Sequence, residues 1–494
     1  MPPTDPTGPW PEQQVLLTHL AAWMSERRWF PLKDEQPPDG AALRVVADSR
    51  LAPGVRDLVV AVPRTDHSPV LMHVPLVLDS PGALERLTGA GEAPGAAGFA
   101  LPDGTALVDG PHHPSFWRAW ARAALAAGTT LRPEATTAVV QRAERLRVTT
   151  GEQSNTSVIL PAPSGADDAA GAEDAATEGL IIKLFRVLAP GRNPDVEVSV
   201  ALARDGWDQV SSPVAWSTLS FPDPDSGEQA SADSAVAAAF IPDAEDGFAL
   251  FCSLAGSDDG EAGGTRARAV SLAADLGVTT ARMHEHLAAA MGTADPGSPA
   301  DLAAALGERA SWALGEVPEL TRAVPDLEAR VEAGLDELRG LEELPPATRV
   351  HGDYHLGQTL RGSGGQGRWY VLDFEGEPLR PLADRSRPDQ PLRDVAGMLR
   401  SFDYAAAVGG AADPGWLPAV RSAFLDGYRS AAPSTGAAGH AADVLMGVLE
   451  LDKALYEAVY EARNRPDWLR IPLSGIRHVL RAKSPAERSP HGTV

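Results

Sequence analysis

Asp353, Gln358 and Asp373 are the residues whose types and spacing could do chemistry. In His351-Gly352-Asp353-Tyr354-His355-Leu356-Gly357-Gln358, an Asp is followed five residues on by a side-chain amide. Asp373 then closes the apolar run Val371-Leu372. Phosphoryl transfer needs a carboxylate that can accept the proton of an attacking hydroxyl, a role open to Asp353. It also needs hard oxygen ligands for the Mg²⁺ that neutralises the ATP phosphates, and Gln358 and Asp373 offer them. Glu375, two residues beyond Asp373, could assist the metal or face the acceptor. His351 and His355 have the i, i+4 spacing of a zinc pair, but the Gly and Asp between them point to a loop. His351 is therefore expected to orient the backbone around Asp353.

Two further features lie upstream. Lys183 interrupts the apolar strand pattern Leu180-Ile181-Ile182-Lys183-Leu184-Phe185, where a charge needs a partner or a route to solvent. The segment from Asn193 reads as a helix start, with Asn193 as N-cap, Pro194 at the first helical position and acids in the first turn. Glu197 in that turn is the expected partner of Lys183. The small-polar turn Gly151-Glu152-Gln153-Ser154-Asn155-Thr156-Ser157 could cover phosphates with backbone N–H groups and hydroxyls, which makes Ser154, Asn155 and Thr156 nucleotide-contact candidates.

The elements that must hold these residues divide the chain by character. Residues 1–112 carry one helix pattern, Glu12 to Arg28, and strand-like runs at Leu43–Ala47, Val55–Val62 and Val70–Val77. Pro and Gly crowd positions 88–114 and suggest a boundary. Residues 113–254 open with a helix over Pro114–Ala127 and continue with strands at Arg145–Thr149, Thr156–Leu160 and Leu180–Arg186. An Ala/Gly/Asp-rich insert at 161–179 has no apolar periodicity and reads as a hairpin loop. From 255 onward amphipathic helices dominate: one is marked by Leu272, Leu276, Met283 and Leu287. Others run over Leu302–Trp312, Leu327–Leu338, Leu392–Tyr404, Trp416–Ala431 and Ala441–Ala462.

Bulk properties set the boundaries of function. The 494 residues exceed a single ordinary core, and the formal charge of −24 repels nucleic acid and anionic lipid. The single cysteine, Cys252, permits no intrachain disulfide and lies in an apolar run, where it is expected as a structural thiol. The N-terminal residues show neither a basic nor an apolar targeting region, and no run of 18 apolar residues occurs. A cytoplasmic monomer without nucleic-acid or membrane partners is the expectation.

With these residues in place, the chain resembles the maltokinase-like sugar kinases, relatives of the aminoglycoside phosphotransferases. The resemblance rests on Trp23 to Phe30, on segment 151–157 and on the run from Lys183 to Val198. It continues through His351–Gln358, the block from Leu372 to Arg385, the block from Pro391 and the block Leu451 to Leu469. It implies an α+β, bilobal, protein-kinase-like fold of the aminoglycoside phosphotransferase type. An N-terminal cap subdomain, an intermediate subdomain completing the N-lobe and an α-helical C-lobe would follow, with ATP between lobes and the sugar against the C-lobe. It further implies that Lys183 pairs with Glu197, that Ser154 to Thr156 cover phosphates, that Asp353 activates the acceptor and that Gln358 and Asp373 hold Mg²⁺.

Members of this group phosphorylate maltose or glucosamine. The run Trp29-Phe30-Pro31-Leu32-Lys33 departs from the aromatic-Gly-Gly-Lys-Gly type associated with maltokinases, so glucosamine is the expected acceptor and maltose the alternative. An ammonium-bearing sugar would want carboxylates, with Asp394, Asp403, Asp452, Glu457 and Glu461 as candidates. Tyr456, Tyr460 and Trp468 could stack on a sugar ring. Base selectivity of the nucleotide is expected from backbone groups around Phe248 to Leu254. Antibiotic phosphorylation is a further alternative. A non-catalytic nucleotide-binding protein is the alternative of a different class, set against retention of Asp353, Asp373 and Lys183.

Overall fold

The computed structural model describes residues 9–33, 37–65, 67–89, 92–93, 95–149, 154–163, 178–257, 264–363, 367–377, 382–432 and 439–482. The chain divides into two compact units, Met1–Val200 with Ser211–Pro242, and Ala201–Val210 with Asp243–Val494.

The first unit is built on two antiparallel sheets. Strands β1 (Arg44–Ala52), β2 (Val55–Arg64), β3 (His67–Asp79), β4 (Gly98–Ala100) and β5 (Ala106–Asp109) form one, in the order β1-β2-β3-β5-β4. Strands β6 (Arg147–Val148), β7 (Asn155–Leu160), β8 (Leu180–Phe185), β10 (Pro213–Pro222) and β11 (Gln229–Ala239) form the other, in the order β10-β11-β8-β7-β6. The short β9 (Val187–Leu188) follows β8 directly and pairs with β3, which stitches the two sheets together. Helix α1 (Gln13–Ser25) packs Leu17, Leu20 and Met24 on the face of β2 and β3 that carries Leu58, Val60, Met72 and Val74. The other helices of this unit are α2 (Ala83–Leu87), α3 (Pro114–Ala127), α4 (Pro133–Arg142) and α5 (Pro194–Arg204).

Alternation along β8 explains the placement of Lys183. Leu180, Ile182 and Leu184 turn into a core with Trp117 and Trp120 of α3, leaving Ile181, Lys183 and Phe185 for the opposite face. The same core contains Val55, Val77 and Val108, so packing runs continuously across the Pro/Gly-rich stretch at 88–114. Leu160 pairs with Leu180, so the insert at 161–179 closes the β7–β8 hairpin; its residues 164–177 lie outside the described set.

The second unit is mainly helical. Its helices are α6 (Gly247–Gly256), α7 (Gly264–Met291), α8 (Pro299–Glu316), α9 (Glu319–Ala323), α10 (Leu327–Arg339), α11 (Leu382–Arg385), α12 (Leu392–Gly409), α13 (Trp416–Ala431), α14 (His440–Asn464) and α15 (Arg470–Ala482). Its short strands are β12 (Glu245–Asp246), β13 (Thr293–Ala294), β14 (Ala347–Thr348), β15 (Thr359–Arg361) and β16 (Trp369–Val371). Helices α12 and α14 bury long faces, including Val395, Met398, Leu399 and Phe402 on one and Leu445, Leu449, Leu455 and Val459 on the other. Among the described residues no helix is long and apolar enough to cross a membrane.

One expectation changes here. Segment Phe248–Leu254 lies inside α6, where backbone groups bond within the helix, so it cannot offer a run of free backbone contacts to a nucleotide base. A short apolar run of this kind does not by itself separate a strand from a helix. Cys252 is half-buried on this helix, and burial raises the pKa of its thiol, which disfavours the nucleophilic thiolate.

Candidate active site

The stretch His351–Gln358 lies in a loop between β14 and β15, and its shape is set by a buried carboxylate. Asp394, in the first turn of α12, accepts the His351 N–H at 2.8 Å and the Gly352 N–H at 2.9 Å. His284 of α7 lies 3.1 Å from the same carboxylate through Nε2, while its Nδ1 lies 3.0 Å from the Tyr428 hydroxyl of α13. Burial works against the charge on Asp394, but His284 and the Gly352 amide outweigh it and lower the pKa. Asp394 is 1% exposed. Expected as a sugar carboxylate, it instead clamps the loop backbone, because both of its oxygens are committed.

The loop's other fixings follow from its sequence. His351 Nε2 donates to the Leu372 carbonyl at 2.8 Å, which leaves Nδ1 as an acceptor facing the Asp353 N–H at 3.4 Å. This is the orienting role expected of His351. Gly352 has φ of +85°, a conformation open to glycine. Gly397 on α12 lets the helix approach so closely that a Cβ there would sit 2.7 Å from the Tyr354 carbonyl oxygen. His355 accepts the Gly357 N–H through Nδ1 at 3.1 Å, starting the turn that delivers Gln358.

The β15–β16 hairpin accounts for the spacing of Gln358 and Asp373. Thr359 pairs with Val371, and the Leu372 N–H donates to the Gln358 carbonyl at 2.9 Å, so the residues flanking the hairpin's open end meet. Gln358 Nε2 lies 3.2 Å from Asp373 Oδ2. Asp373 adopts φ of +60°, a left-handed conformation rare for a residue with a side chain and enriched at functional sites. Turning the Gln358 amide over would present its oxygen beside the Asp373 carboxylate, an oxygen pair suited to a hard cation. Glu375 offers a carboxylate oxygen within 4.8 Å of that of Asp373. It does not line the cavity described next, so its position suits the metal role better than the acceptor role.

Asp353 opens onto a cavity of about 780 Å³. One wall is a single face of α14, where Lys453, Tyr456, Glu457, Tyr460 and Glu461 follow one another at helical spacing. Gly397, Ser401 and Tyr404 of α12 form a second wall, and Phe248, Trp312, Glu377, Arg463, Arg465 and Trp468 are among the other residues of the lining. Tyr456, Glu457 and Trp468, expected from sequence as acceptor contacts, are thus gathered here. Asp452 is not: its oxygens bind Arg309 at 2.8 Å and Arg393 at 3.1 Å, linking α8 and α12 to α14. Asp403 is likewise taken up by Arg400 and Arg421.

The acids that do line the cavity differ in their commitments. Glu461 accepts from the Tyr404 hydroxyl at 2.9 Å and from Arg465 at 2.7 Å and 2.9 Å. Glu457 is bound through Oε2 by Arg400, at 2.9 Å from Nε and 2.8 Å from Nη2. Burial raises the Glu457 pKa, with Arg400 and Lys453 opposing. Lys453 Nζ lies 2.9 Å from Glu377 Oε1 and 3.5 Å from Asp353 Oδ1. Its burial disfavours charge, yet Glu377 and Asp353 outweigh that and raise its pKa above the ordinary lysine value. Neither Lys453 nor Glu377 was expected from sequence. The signal available was helical phase: Lys453 stands one turn before Glu457 on the same stripe.

In the first unit, Lys183 Nζ lies 3.1 Å from Asp195 Oδ2, two residues before the expected Glu197. Asn193 caps α5 as expected, accepting the Asp195 N–H at 2.8 Å. Ser154 is exposed ahead of β7 and Asn155 is half-buried opposite Phe185. Thr156 departs from expectation, since its hydroxyl accepts from buried Arg186 at 2.8 Å and it turns inward. Residues 151–153 of that turn lie outside the described set. Arg186 is a residue that sequence reasoning passed over: it forms a buried pair with Asp109 of β5 and stacks 4.3 Å from the Trp29 ring.

Residues 228–434 match the phosphotransferase enzyme family (APH). Among curated relatives, a glucosamine kinase of Streptacidiphilus jiangxiensis is 34% identical over 223 residues, which is 42% of this chain and 49% of that protein. A glucosamine kinase of Mycolicibacterium smegmatis (strain ATCC 700084 / mc(2)155) is 30% identical over 263 residues, 49% of this chain and 61% of that protein. The chain therefore aligns with about half of the length of the first of these relatives and three-fifths of the second. A solved structure of a glucosamine kinase in complex with glucosamine, ADP and inorganic phosphate superposes with a TM-score of 0.63 at 23% identity. That superposition covers 96% of this chain and all of the other. The fold is thus kinase-like and α+β, and residues 228–434 are similar to the phosphotransferase enzyme family.

Proposed function

We propose that this chain is an ATP- and Mg²⁺-dependent sugar kinase that transfers the γ-phosphoryl group to glucosamine, giving glucosamine 6-phosphate. The observation that carries the reading is the placement of Asp353 on a cavity lined by aromatic rings and carboxylates, on a loop whose backbone Asp394 fixes. Similarity to the glucosamine kinases supports the acceptor. In this reading Asp353 accepts the proton of the acceptor hydroxyl as the bond to phosphorus forms. Tyr404, Tyr456 and Trp468 bound the sugar with ring faces and edges, and Glu457, which Arg400 engages through Oε2, favours a cationic acceptor over a neutral one. Gln358 and Asp373 would hold a divalent cation, which when bound neutralises phosphate charge. Lys183, anchored by Asp195, is the proposed nucleotide lysine, with Glu197, Ser154 and Asn155 in the same region. The division at residues 112 and 254 into cap, intermediate and helical parts, a monomeric state and a cytoplasmic location belong to the same proposal.

Maltose is the second reading, and the cavity volume favours it, since about 780 Å³ lies in the range that encloses ligands larger than one sugar ring. An ADP-release assay across glucosamine, maltose, glucose and an aminoglycoside decides between them. Turnover of maltose without turnover of glucosamine refutes the acceptor proposed here. Asp353→Ala should lower kcat by about 10²–10⁴ while nucleotide affinity persists. Undiminished turnover in that variant refutes the base.

A further inference from the structure

Among the described residues, Lys453 is the lysine or arginine side chain set against Asp353, 3.5 Å from Oδ1, and it stands in the cavity wall. Glu377 holds it there at 2.9 Å, and Glu457 faces it from one turn further along α14. The ammonium is half-buried, so its charge is felt by whatever occupies the adjacent space. Without that ammonium the Asp353 carboxylate would attract an amine placed beside it.

We propose that Lys453 is a specificity-determining residue: its ammonium, fixed between Asp353 and Glu377, fills the cation position beside the reacting hydroxyl and bars a substrate amine from it. This rests on the reading of Asp353 as the base and of a sugar hydroxyl as the acceptor. An amino sugar then binds productively only with its amine across the ring from the hydroxyl that reacts. For glucosamine, whose amine is at carbon 2, this selects the hydroxyl at carbon 6 over that at carbon 3, whose neighbouring amine would be brought against Lys453. The Lys453–Glu377 pair thereby sorts amino sugars by the position of their nitrogen, a task the loop residues alone cannot perform because a carboxylate base attracts amines wherever they lie.

The test compares two sugars that differ only at carbon 6, glucosamine and 2,6-diamino-2,6-dideoxyglucose, the second carrying an ammonium in place of the reacting hydroxyl. Dissociation constants are measured by calorimetry on the full chain in the presence of ADP, for wild type, Lys453→Met, Lys453→Gln and Lys453→Arg. Removing the charge should shift the ratio of the two constants by about tenfold or more in favour of the diamine, because the Asp353 carboxylate then attracts its ammonium without the competing charge of Lys453. Lys453→Arg should keep the wild-type ratio. A merely structural lysine would weaken both sugars together and leave the ratio unmoved, and an unmoved ratio in both neutral variants overturns the proposal. Its failure is separable from failure of the wider reading. Loss of turnover in Asp353→Asn together with an unmoved ratio sinks this inference alone, whereas full turnover in Asp353→Asn, or no binding of glucosamine, sinks both.

Discussion

Replacing Asp394 with Asn tests whether the catalytic loop is held by a carboxylate or merely packed. The side chain keeps its size and one oxygen. That oxygen can serve the position of Oδ2, which takes the His351 N–H at 2.8 Å and faces His284 Nε2 at 3.1 Å. The amide NH₂ must then point at the Gly352 N–H, which now donates to Oδ1 at 2.9 Å. A donor meets a donor in a site that is 1% exposed. One hydrogen bond to a charged acceptor is lost, worth about 1.5–3 kcal/mol, and a buried N–H is left unsatisfied at a further penalty of about 1–3 kcal/mol. Partial relaxation of the loop recovers some of this, so a net destabilisation of about 2–4 kcal/mol is expected. If the loop relaxes, Asp353 moves, and a displacement near 1 Å lowers kcat by about 10²-fold. Urea denaturation and steady-state kinetics on the same preparation read both terms. A variant within about 0.5 kcal/mol of wild type whose kcat is also unchanged would show that the loop needs no carboxylate, and the account of the site given above would fail.

Gly397→Ala brings a methyl group 2.7 Å from the Tyr354 carbonyl oxygen, so the loop must shift; we expect about 1–3 kcal/mol of destabilisation with a clear fall in kcat, and kinetics equal to wild type would contradict the close approach. Arg186→Leu leaves Asp109, which is 1% exposed, with the longer contact to His112 at 3.6 Å, and should destabilise the chain by about 3–5 kcal/mol in chemical denaturation. The double change Arg186→Leu with Asp109→Leu should recover much of that loss, and no recovery would rule out the ion pair as the cause. His112 sits between Glu92, 3.2 Å from Nε2, and Asp109, 3.6 Å from Nδ1. Burial lowers its pKa, but the two carboxylates outweigh burial and raise it to about 9. A raised folded-state pKa means that stability is fully present below the unfolded value of about 6.5 and is lost as pH rises through about 9, a difference on the order of 3 kcal/mol. Denaturation midpoints that stay level between those pH values, or that fall equally in His112→Gln, would refute the assignment.

Much of the site could be read from the chain because its parts are local. Gln358 and Asp373 are separated by a hairpin, and Lys183 breaks a two-residue alternation, so each declares itself within its own element. Helices over Pro114–Ala127 and Trp416–Ala431 were legible to the residue, since their apolar faces repeat without interruption. What stayed hidden depends on pairing across distance. The Arg186–Asp109 pair spans 77 residues, and the Asp394 clamp reaches back 43. Nothing near Asp394 or Asp452 says that their carboxylates serve backbone or arginine rather than a ligand. Lys183 meets Asp195 at 3.1 Å, and the rotation of α5 that brings the second helical residue to it is a matter of degrees that composition does not carry.

The α14 wall has a consequence for how such a site can change. The chemistry hangs from α12 and the β15–β16 hairpin, whereas Lys453, Tyr456, Glu457, Tyr460 and Glu461 all issue from one helix. On the proposed reading, acceptor preference can therefore drift by point substitutions along a single ruler, with the transfer machinery left alone. Insertion of one residue in α14 before Lys453 would act otherwise. It would rotate every residue of the stripe by about 100° at once and exchange the recognition surface for the buried face. Lineages of this site should accordingly vary in the letters on that ruler while preserving its length.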